Sequence, residues 1–206
     1  MNTAPPETTR QRVLRVADDL FAAHGFAAVS MREVATAAGV TKPALYYHFR
    51  DKEALFEECI LASHHRLGGL IREAAGRDEP LSERLSAVVR ALLTGAVHHP
   101  VRTQADVAEH LPTDARQRIG RSWYEHFLMP VTQLFEDARG ELREDVDPAN
   151  ASLALLGVSL AYFPPLPARD GPPFDMGSAH PGAAPAPAPD AAAVVVAELV
   201  LRGVQR

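Results

Sequence analysis

The sequence predicts an all-α protein in which three N-terminal helices are joined by one long helix to a larger helical region. Apolar residues recur at intervals of three and four along most of the chain, and no segment alternates apolar with polar residues over the length of a strand. Glycine and proline residues separate the periodic segments. We find no internal repeat.

The first two helices have clear start and stop signals. Apolar residues at helical spacing predict a helix over residues 8–24 that stops at Gly25. Ser30 then opens the run Ser-Met-Arg-Glu, a capping box in which Ser30 and Glu33 satisfy each other's backbone amides. A short second helix is therefore predicted from Met31 to about Ala38, ending at Gly39.

A third helix follows after a short turn. Thr41 can cap it, and its first turn tolerates Pro43 because an amide there has no partner within the helix. Two helices joined by a glycine-containing turn of about three residues form a helix-turn-helix. On a helical wheel Leu45 and Phe49 lie about 40° apart and define the buried side, and Tyr47 points nearly opposite.

The rest of the chain is also read as helical. A continuous apolar stripe from residue 51 or 52 to about 75 predicts a helix of roughly 36 Å. Further helices are predicted over residues 81–98, 101–110, 114–139, 149–163 and 190–204. Residues 164–189 hold nine of the 17 prolines and are expected to form an extended loop.

Composition limits the class of protein. The 206 residues are 47% hydrophobic, which suffices for a globular core, and the single Cys59 excludes an intramolecular disulfide. The N-terminus lacks a signal sequence, and the longest apolar runs are shorter than the roughly 18 residues of a membrane span, so we expect a cytoplasmic protein with no membrane contact. The net charge is −5, yet the window 10–50 has six basic and three acidic residues. A locally basic end can meet phosphates.

The outward side of the third helix has the chemistry of a DNA-contacting surface. Small residues, Pro43 and Ala44, begin this side, and Thr41, Tyr46 and His48 offer donors to phosphate oxygens. The alternative is that Tyr46 or His48 packs against a neighbouring helix with only its polar tip in solvent.

The run SMREVATAAGVTKPALYYHFRDKEAL resembles the DNA-binding head of the TetR family of transcriptional regulators. That family has a motif of the type G-V-[ST]-x-x-x-[LI]-Y-x-[HY]-F followed by a lysine. It is matched here by Gly39, Val40, Thr41, Leu45, Tyr46, His48, Phe49 and Lys52. The resemblance covers about a quarter of the chain.

The resemblance implies a helix-turn-helix domain over residues 1–51 and an effector-binding and dimerisation domain over residues 52–206. It implies that Arg32 reaches a base edge or a phosphate, with Met31 beside it. Residues facing the major groove would be Lys42, Pro43, Ala44 and Tyr47. Residues binding the DNA backbone would be Ser30, Thr41, Tyr46, His48 and Lys52.

The last two helices are candidates for a dimer interface, because they are apolar nearly all round and must be covered on several sides. The interface residues we expect are Leu153, Leu156, Leu160, Val195 and Leu199. The alternative is that both helices are buried in the core of one subunit. The family resemblance implies the same four-helix bundle between two subunits.

The middle helices contain candidates for a ligand pocket: Leu93, Val97, Val107, His110, Trp123, Phe127 and Met129. Such residues are more often plain core, but the resemblance implies a small-molecule effector in this region. Asp106 and His110 have the i, i+4 spacing of metal ligands, yet without further ligands a solvated ion pair is the better interpretation. Cys59 lies on an apolar stripe and is read as core.

The predicted function is a homodimeric, sequence-specific DNA-binding regulator, a ligand-responsive repressor that releases a palindromic double-stranded operator when an effector binds. No cofactor or metal is expected, and no enzyme motif is present in the sequence. The alternative is an effector-independent DNA-binding or activator protein of the same fold.

Overall fold

The computed structural model describes residues 7–95, 100–163 and 188–205, and the described part is helical without a β-strand. The helices are α1 (Thr9–Ala28), α2 (Met31–Ala37), α3 (Lys42–His48), α4 (Lys52–Ala75), α5 (Leu81–Gly95), α6 (Pro100–His110), α7 (Thr113–Trp123), α8 (Met129–Asp137), α9 (Pro148–Leu160) and α10 (Pro189–Val204). A π-helical turn occupies Tyr124–Leu128 and a 3₁₀ turn occupies Arg139–Glu141. The predicted all-α class is confirmed.

The described residues form two compact units, and α4 contributes to both. The first unit, the head, comprises residues 7–66 and 100–123. The second, the body, comprises residues 67–95, 124–163 and 188–205. The head therefore contains more of the chain than residues 1–51, because α6 and α7 pack into it. The functional division at residue 51 stays a prediction.

The core of the head is formed by α1 to α4 and is completed by residues of the α6–α7 segment. Phe21, Phe49 and Phe56 are almost completely buried there. Leu111, Ala115 and Ile119, which belong to the α6–α7 segment, lie in the same apolar cluster.

The core of the body is formed by α5, α8, α9 and α10 with the C-terminal part of α4. Helix α10 packs against α5 and α9, and α8 packs against α9. The end of α10 is held by Arg143, whose backbone N–H donates to the Val204 carbonyl at 2.9 Å. None of the described helices has the length and apolarity that crossing a bilayer requires.

One helix prediction was wrong. The single helix predicted over residues 114–139 is interrupted by the π-helical turn Tyr124–Leu128 and ends at Asp137. Pro130, in the first turn of α8, has no N–H to donate and its ring would clash with the carbonyl four residues earlier. A wider π turn in front of it accommodates the proline.

The first helix differs from prediction in detail. Gly25 interrupts α1 as expected, with φ of 75° and ψ of 170°, but one further helical turn follows to Ala28. This backbone region is open almost only to glycine. The predicted loop over residues 164–189 lies outside the described residues, except that Ala188 caps α10 and Pro189 begins it.

Candidate nucleic-acid interface

Local hydrogen bonds position α2 and α3 as the sequence predicts. Ser30 Oγ accepts the Glu33 N–H at 3.2 Å, and the Ser30 N–H donates to Glu33 Oε2 at 2.7 Å. Hydrogen bonding of the Glu33 carboxylate to the Ser30 side chain, and then to the Ser30 N–H, holds the pKa of Glu33 below its usual value. Gly39, with φ of 64°, makes the turn. Thr41 Oγ1 then accepts the Ala44 N–H at 3.3 Å and starts α3.

Helix α3 has one thin buried edge and a broad exposed side. Leu45 and Phe49 are 0% and 1% exposed, whereas Tyr47 is 85% and Tyr46 48% exposed. His48 is half-buried, and its ring meets the Tyr47 ring edge-on with centroids 5.2 Å apart. The wheel deduced from the sequence is therefore confirmed for the buried edge and for Tyr47.

The remaining predicted DNA contacts differ in how much side chain they expose. Arg32, Lys42 and Pro43 are exposed, and Ala44 is half-buried. Met31 is only 8% exposed and belongs to the head core, so its side chain presents little surface to a partner.

Lys52 is already engaged inside the head. Its Nζ lies 3.5 Å from the Ala27 carbonyl oxygen and 4.1 Å from the centroid of the Phe26 ring. Burial lowers the pKa of Lys52. Its ammonium group is thus partly desolvated, unlike the exposed Lys42.

The seven residues predicted for a ligand pocket are divided between the two units. In the head, Val107 packs against the core, His110 stacks on Phe26 with centroids 4.7 Å apart, and Trp123 is 38% exposed at the end of α7. In the body, Phe127 is buried, Leu93 is partly buried against the core and Met129 is 49% exposed. Val97 lies outside the described residues, and the pocket stays a prediction.

A concave site of about 490 Å³ in the head is polar and contains none of those seven residues. It lies between α4 and α7, where Arg118 forms a two-pronged ion pair with Glu57 and a second pair with Asp114. Its lining of arginines and carboxylates differs from the mostly apolar set of residues predicted for the ligand pocket.

The interpretation of Asp106 and His110 as a solvated ion pair was wrong. Asp106 Oδ2 accepts the backbone N–H of Phe26 at 3.0 Å, and the His110 ring lies on the Phe26 ring. The contact of α6 with Phe26 was not predicted from the sequence. The kink at Gly25 indicates that a following amide needs an acceptor, but the acceptor is 80 residues away.

The residues predicted for a dimer interface are mostly on the surface of the body. Leu153 and Leu160 of α9 are 47% and 46% exposed, and Val195 and Leu199 of α10 are 42% and 55% exposed. Leu156 is 9% exposed and belongs to the core of the body. Two helices therefore bury one side in their own core and leave leucine and valine side chains exposed on the other.

The buried position of Cys59 is confirmed. The residue is 1% exposed, its Sγ lies 3.7 Å from the Leu14 carbonyl oxygen, and burial raises the pKa of the thiol well above its usual value.

Known proteins resemble both the head and the whole chain. The family model described as bacterial regulatory proteins, tetR family, matches residues 13–59. The transcriptional repressor KstR2 of Rhodococcus jostii is 32% identical over 158 residues, which cover 71% of this chain and 74% of that protein. The regulator AcrR of Shigella flexneri is 34% identical over 106 residues, about half of each chain.

Solved structures resemble the fold over nearly its full length. The TetR-family regulator PfmR of Thermus thermophilus has a TM-score of 0.66 and 24% identity, with 95% of this chain and 100% of that one covered. The fatty acid degradation regulator FadR of Bacillus halodurans has a TM-score of 0.68 and 18% identity, with 98% of both chains covered. Together with the helix-turn-helix head, the match to the family model and the similarity to KstR2 identify the chain as a member of the TetR family of DNA-binding transcriptional regulators.

Proposed function

We propose that the protein is a ligand-responsive repressor that binds a palindromic operator as a homodimer and releases it when a small molecule binds. The observation that carries this proposal is the surface of α3. Leu45 in this seven-residue helix and Phe49 directly after it are buried, whereas two tyrosines and a lysine of the helix are exposed, which supports docking in a DNA major groove.

We assign sequence reading chiefly to Arg32 and backbone contact to the edges of α3. Arg32 is exposed in the first turn of α2, and a guanidinium can grip a guanine with two hydrogen bonds. Lys42, Pro43, Ala44 and Tyr47 are assigned to the groove. Ser30, Thr41, Tyr46 and His48 are assigned to phosphates, although the Ser30 and Thr41 hydroxyls also cap their helices.

We assign dimerisation to α9 and α10. One head reads only a few base pairs, so useful affinity needs two heads at a spacing of roughly 34 Å along the duplex or a multiple of it. The exposed side chains of Leu153, Leu160, Val195 and Leu199 favour this choice, because two helices from each subunit can bury them in a four-helix bundle.

We assign residues 1–51 to DNA binding and residues 52–206 to the effector and the dimer. Helix α4 has 24 residues and is shared by the head and the body, so a change in its tilt is the simplest way to alter the separation of two heads. The effector must then bind more tightly to the arrangement that does not fit the operator. The names of the relatives, all transcriptional regulators, favour this role over enzymatic activity.

The proposal is tested by selecting duplexes from a randomised DNA library with the purified chain at stated salt, and then screening a small-molecule panel for release. Arg32→Ala should flatten the preference for the selected sequence, at about 1–3 kcal/mol for the position it reads. Arg72→Ala, an exposed arginine near the end of α4, is the matched control and should leave the preference unchanged. Equal losses of Arg32→Ala on selected and random DNA would refute base reading.

A further inference from the structure

The kink in α1 leaves one backbone N–H without an acceptor in its own helix, and a side chain of α6 accepts it. Gly25 leaves the helical region, so the Phe26 N–H loses its place in the hydrogen-bond ladder of α1. Asp106, in the middle of α6, accepts this N–H through Oδ2 at 3.0 Å. The bond lies within the head, because both α1 and α6 belong to that unit.

Helix α6 also contacts the side chain of Phe26. The His110 ring, one turn after Asp106, is nearly parallel to the Phe26 ring, with centroids 4.7 Å apart and an interplanar angle of 24°. Phe56 of α4 contacts the same ring at 5.1 Å, and Lys52 Nζ lies 4.1 Å from its centroid. Phe26 is therefore the residue at which α1, α4 and α6 meet.

Helix α6 makes a further contact with the end of α1. The guanidinium of Arg102, one turn before Asp106, donates to the Ala22 carbonyl oxygen. Arg102, Asp106 and His110 follow one another at intervals of four along α6, so one face of this helix contacts the chain on both sides of the Gly25 kink.

The last turn of α1 is followed directly by Ser30 and Arg32, which are proposed to contact DNA. The Val29 N–H donates to the Phe26 carbonyl at 3.3 Å, and Ser30 follows as the cap of α2. Arg32 lies six residues after Phe26. Phe26 and Arg32 are therefore joined by a short, hydrogen-bonded connection.

We propose that Asp106 and His110 are positioning residues for DNA recognition: by fixing Phe26 they set the orientation of the α1–α2 connection, and thus the place of Arg32. The proposal rests on the DNA-binding function proposed above. Two residues of α6 that lie outside the proposed DNA interface thereby determine operator affinity.

In an Asp106 variant, the loss of charge and the loss of positioning have opposite effects on DNA affinity. Asp106→Ala removes a negative charge, so a purely electrostatic effect on a polyanionic partner would tighten binding. Loss of positioning weakens it, by about tenfold for the selected duplex if returning Phe26 to its place in the complex costs about as much as one hydrogen bond. Asp106→Asn keeps an acceptor oxygen and should bind within about threefold of the wild type.

The experiment measures affinities of full-length variants for the duplex selected by the wild type and for random DNA. Asp19→Ala is the matched control, since it removes an exposed carboxylate from α1 of the same head and leaves α6 unchanged. Amide hydrogen exchange at Phe26 reports directly on the bond and should accelerate in Asp106→Ala but not in Asp19→Ala. Thermal unfolding identifies the temperature range in which each variant is folded.

A double-mutant cycle separates positioning from general stability. If Asp106 acts through Arg32, the loss in Asp106→Ala/Arg32→Ala is smaller than the product of the two single losses. A loss equal to that product, or unchanged binding by Asp106→Ala, overturns the proposal. If Asp106→Ala does not fold, His110→Ala takes its place in the same cycle, because it leaves the Phe26 hydrogen bond intact. A wild type that selects no duplex overturns the proposed function as well as this inference.

Discussion

The ammonium group of Lys52 lies 4.1 Å from the centroid of the Phe26 ring and 3.5 Å from the Ala27 carbonyl oxygen. A cation over an aromatic face is attracted by the ring quadrupole. The lysine that follows the family motif is thus engaged within the head, and it joins the beginning of α4 to the end of α1. Its contribution to DNA binding should differ from that of the exposed Lys42.

The salt dependence of DNA binding should distinguish these two lysines. Lys42→Ala should lower the slope of log affinity against log salt by about 1, because the complex loses one exposed positive charge next to the DNA and one fewer counterion is released on binding. Lys52→Ala should lower the slope less and should lower the free energy of unfolding as well. Binding titrations at several salt concentrations measure this, with Arg72→Ala as the unaffected control. Equal slope changes for both lysines would contradict the internal role of Lys52.

The exposed leucine on α10 should be required for dimerisation. Leu199→Glu places a charge on a side chain that is 55% exposed, so the subunit should fold, but the charge would be buried at the proposed interface at high cost. Light scattering after size-exclusion chromatography should show a monomer where the wild type is a dimer. Met129→Glu, at a residue 49% exposed on α8, is the control and should remain dimeric. A dimeric Leu199→Glu would exclude this face.

The two glycines Gly39 and Gly69 should respond to alanine with opposite signs. A Cβ at either position would meet no atom within 4 Å, so only backbone conformation matters. Gly39 has φ of +64°, and Gly39→Ala should lower the free energy of unfolding by about 1–2 kcal/mol. Gly69 lies inside α4, and Gly69→Ala should raise it by about 0.5–1 kcal/mol. Denaturant unfolding measures both; destabilisation by Gly69→Ala would show that the position has an unrecognised partner.

Asp51 should make stability depend on pH in the acid range. Its Oδ1 accepts the Ala54 N–H at 2.8 Å and its Oδ2 accepts from Arg50 at 2.7 Å, and these contacts, the Ala54 bond first, lower the pKa of Asp51. A lowered pKa means that ionised Asp51 stabilises the fold above its unfolded pKa of about 3.9, and that this stabilisation is lost as pH falls through the folded pKa.

Asp51→Asn should therefore be less stable than the wild type at neutral pH, and the difference should shrink below about pH 4. Unfolding curves between neutral and acid pH provide the measurement. Arg50→Ala should keep most of the wild-type pH dependence, because the backbone bond is the larger cause. A difference that stays constant down to the acid limit would show that the charge of Asp51 does not contribute.

Cys59 should react with thiol reagents only when the head opens. The thiol is buried and burial raises its pKa, so the reactive thiolate is scarce in the folded chain. Since the chain has one cysteine, the signal from a disulfide reagent is unambiguous. Folded protein should react slowly and denatured protein at once, and Arg72→Cys should add one thiol that reacts immediately. Fast labelling of the folded wild type would place Cys59 at the surface.

Local chemistry made the helix-turn-helix predictable. The capping serine and threonine, the turn glycine and the spacing of Leu45 and Phe49 act over four residues or fewer, so the sequence alone indicates where α2 and α3 begin and which edge of α3 is buried. Pro130 was also a local signal, because a proline has no N–H to donate within a helix. The break was not predicted because the apolar residues on both sides of Pro130 keep helical spacing.

Exposure of the last two helices was only partly predictable. Both helices are apolar nearly all round in the sequence. The pattern therefore does not distinguish Leu156, which faces the core of its own subunit, from Leu160, which is 46% exposed. That choice depends on the direction from which α5 and α8 approach, which no local pattern contains.

By itself the sequence determined helices α2 and α3, their caps and the outward direction of Tyr47, since these follow from hydrogen bonds and periodicity within one or two turns. Only the tertiary structure decided that α6 belongs to the head, with Asp106 accepting the Phe26 N–H and His110 stacked on the Phe26 ring. The reason is physical: the kink at Gly25 creates an unpaired donor, and any acceptor brought there by packing could satisfy it. Contacts across 80 residues are specified by the whole core and not by the residues that make them.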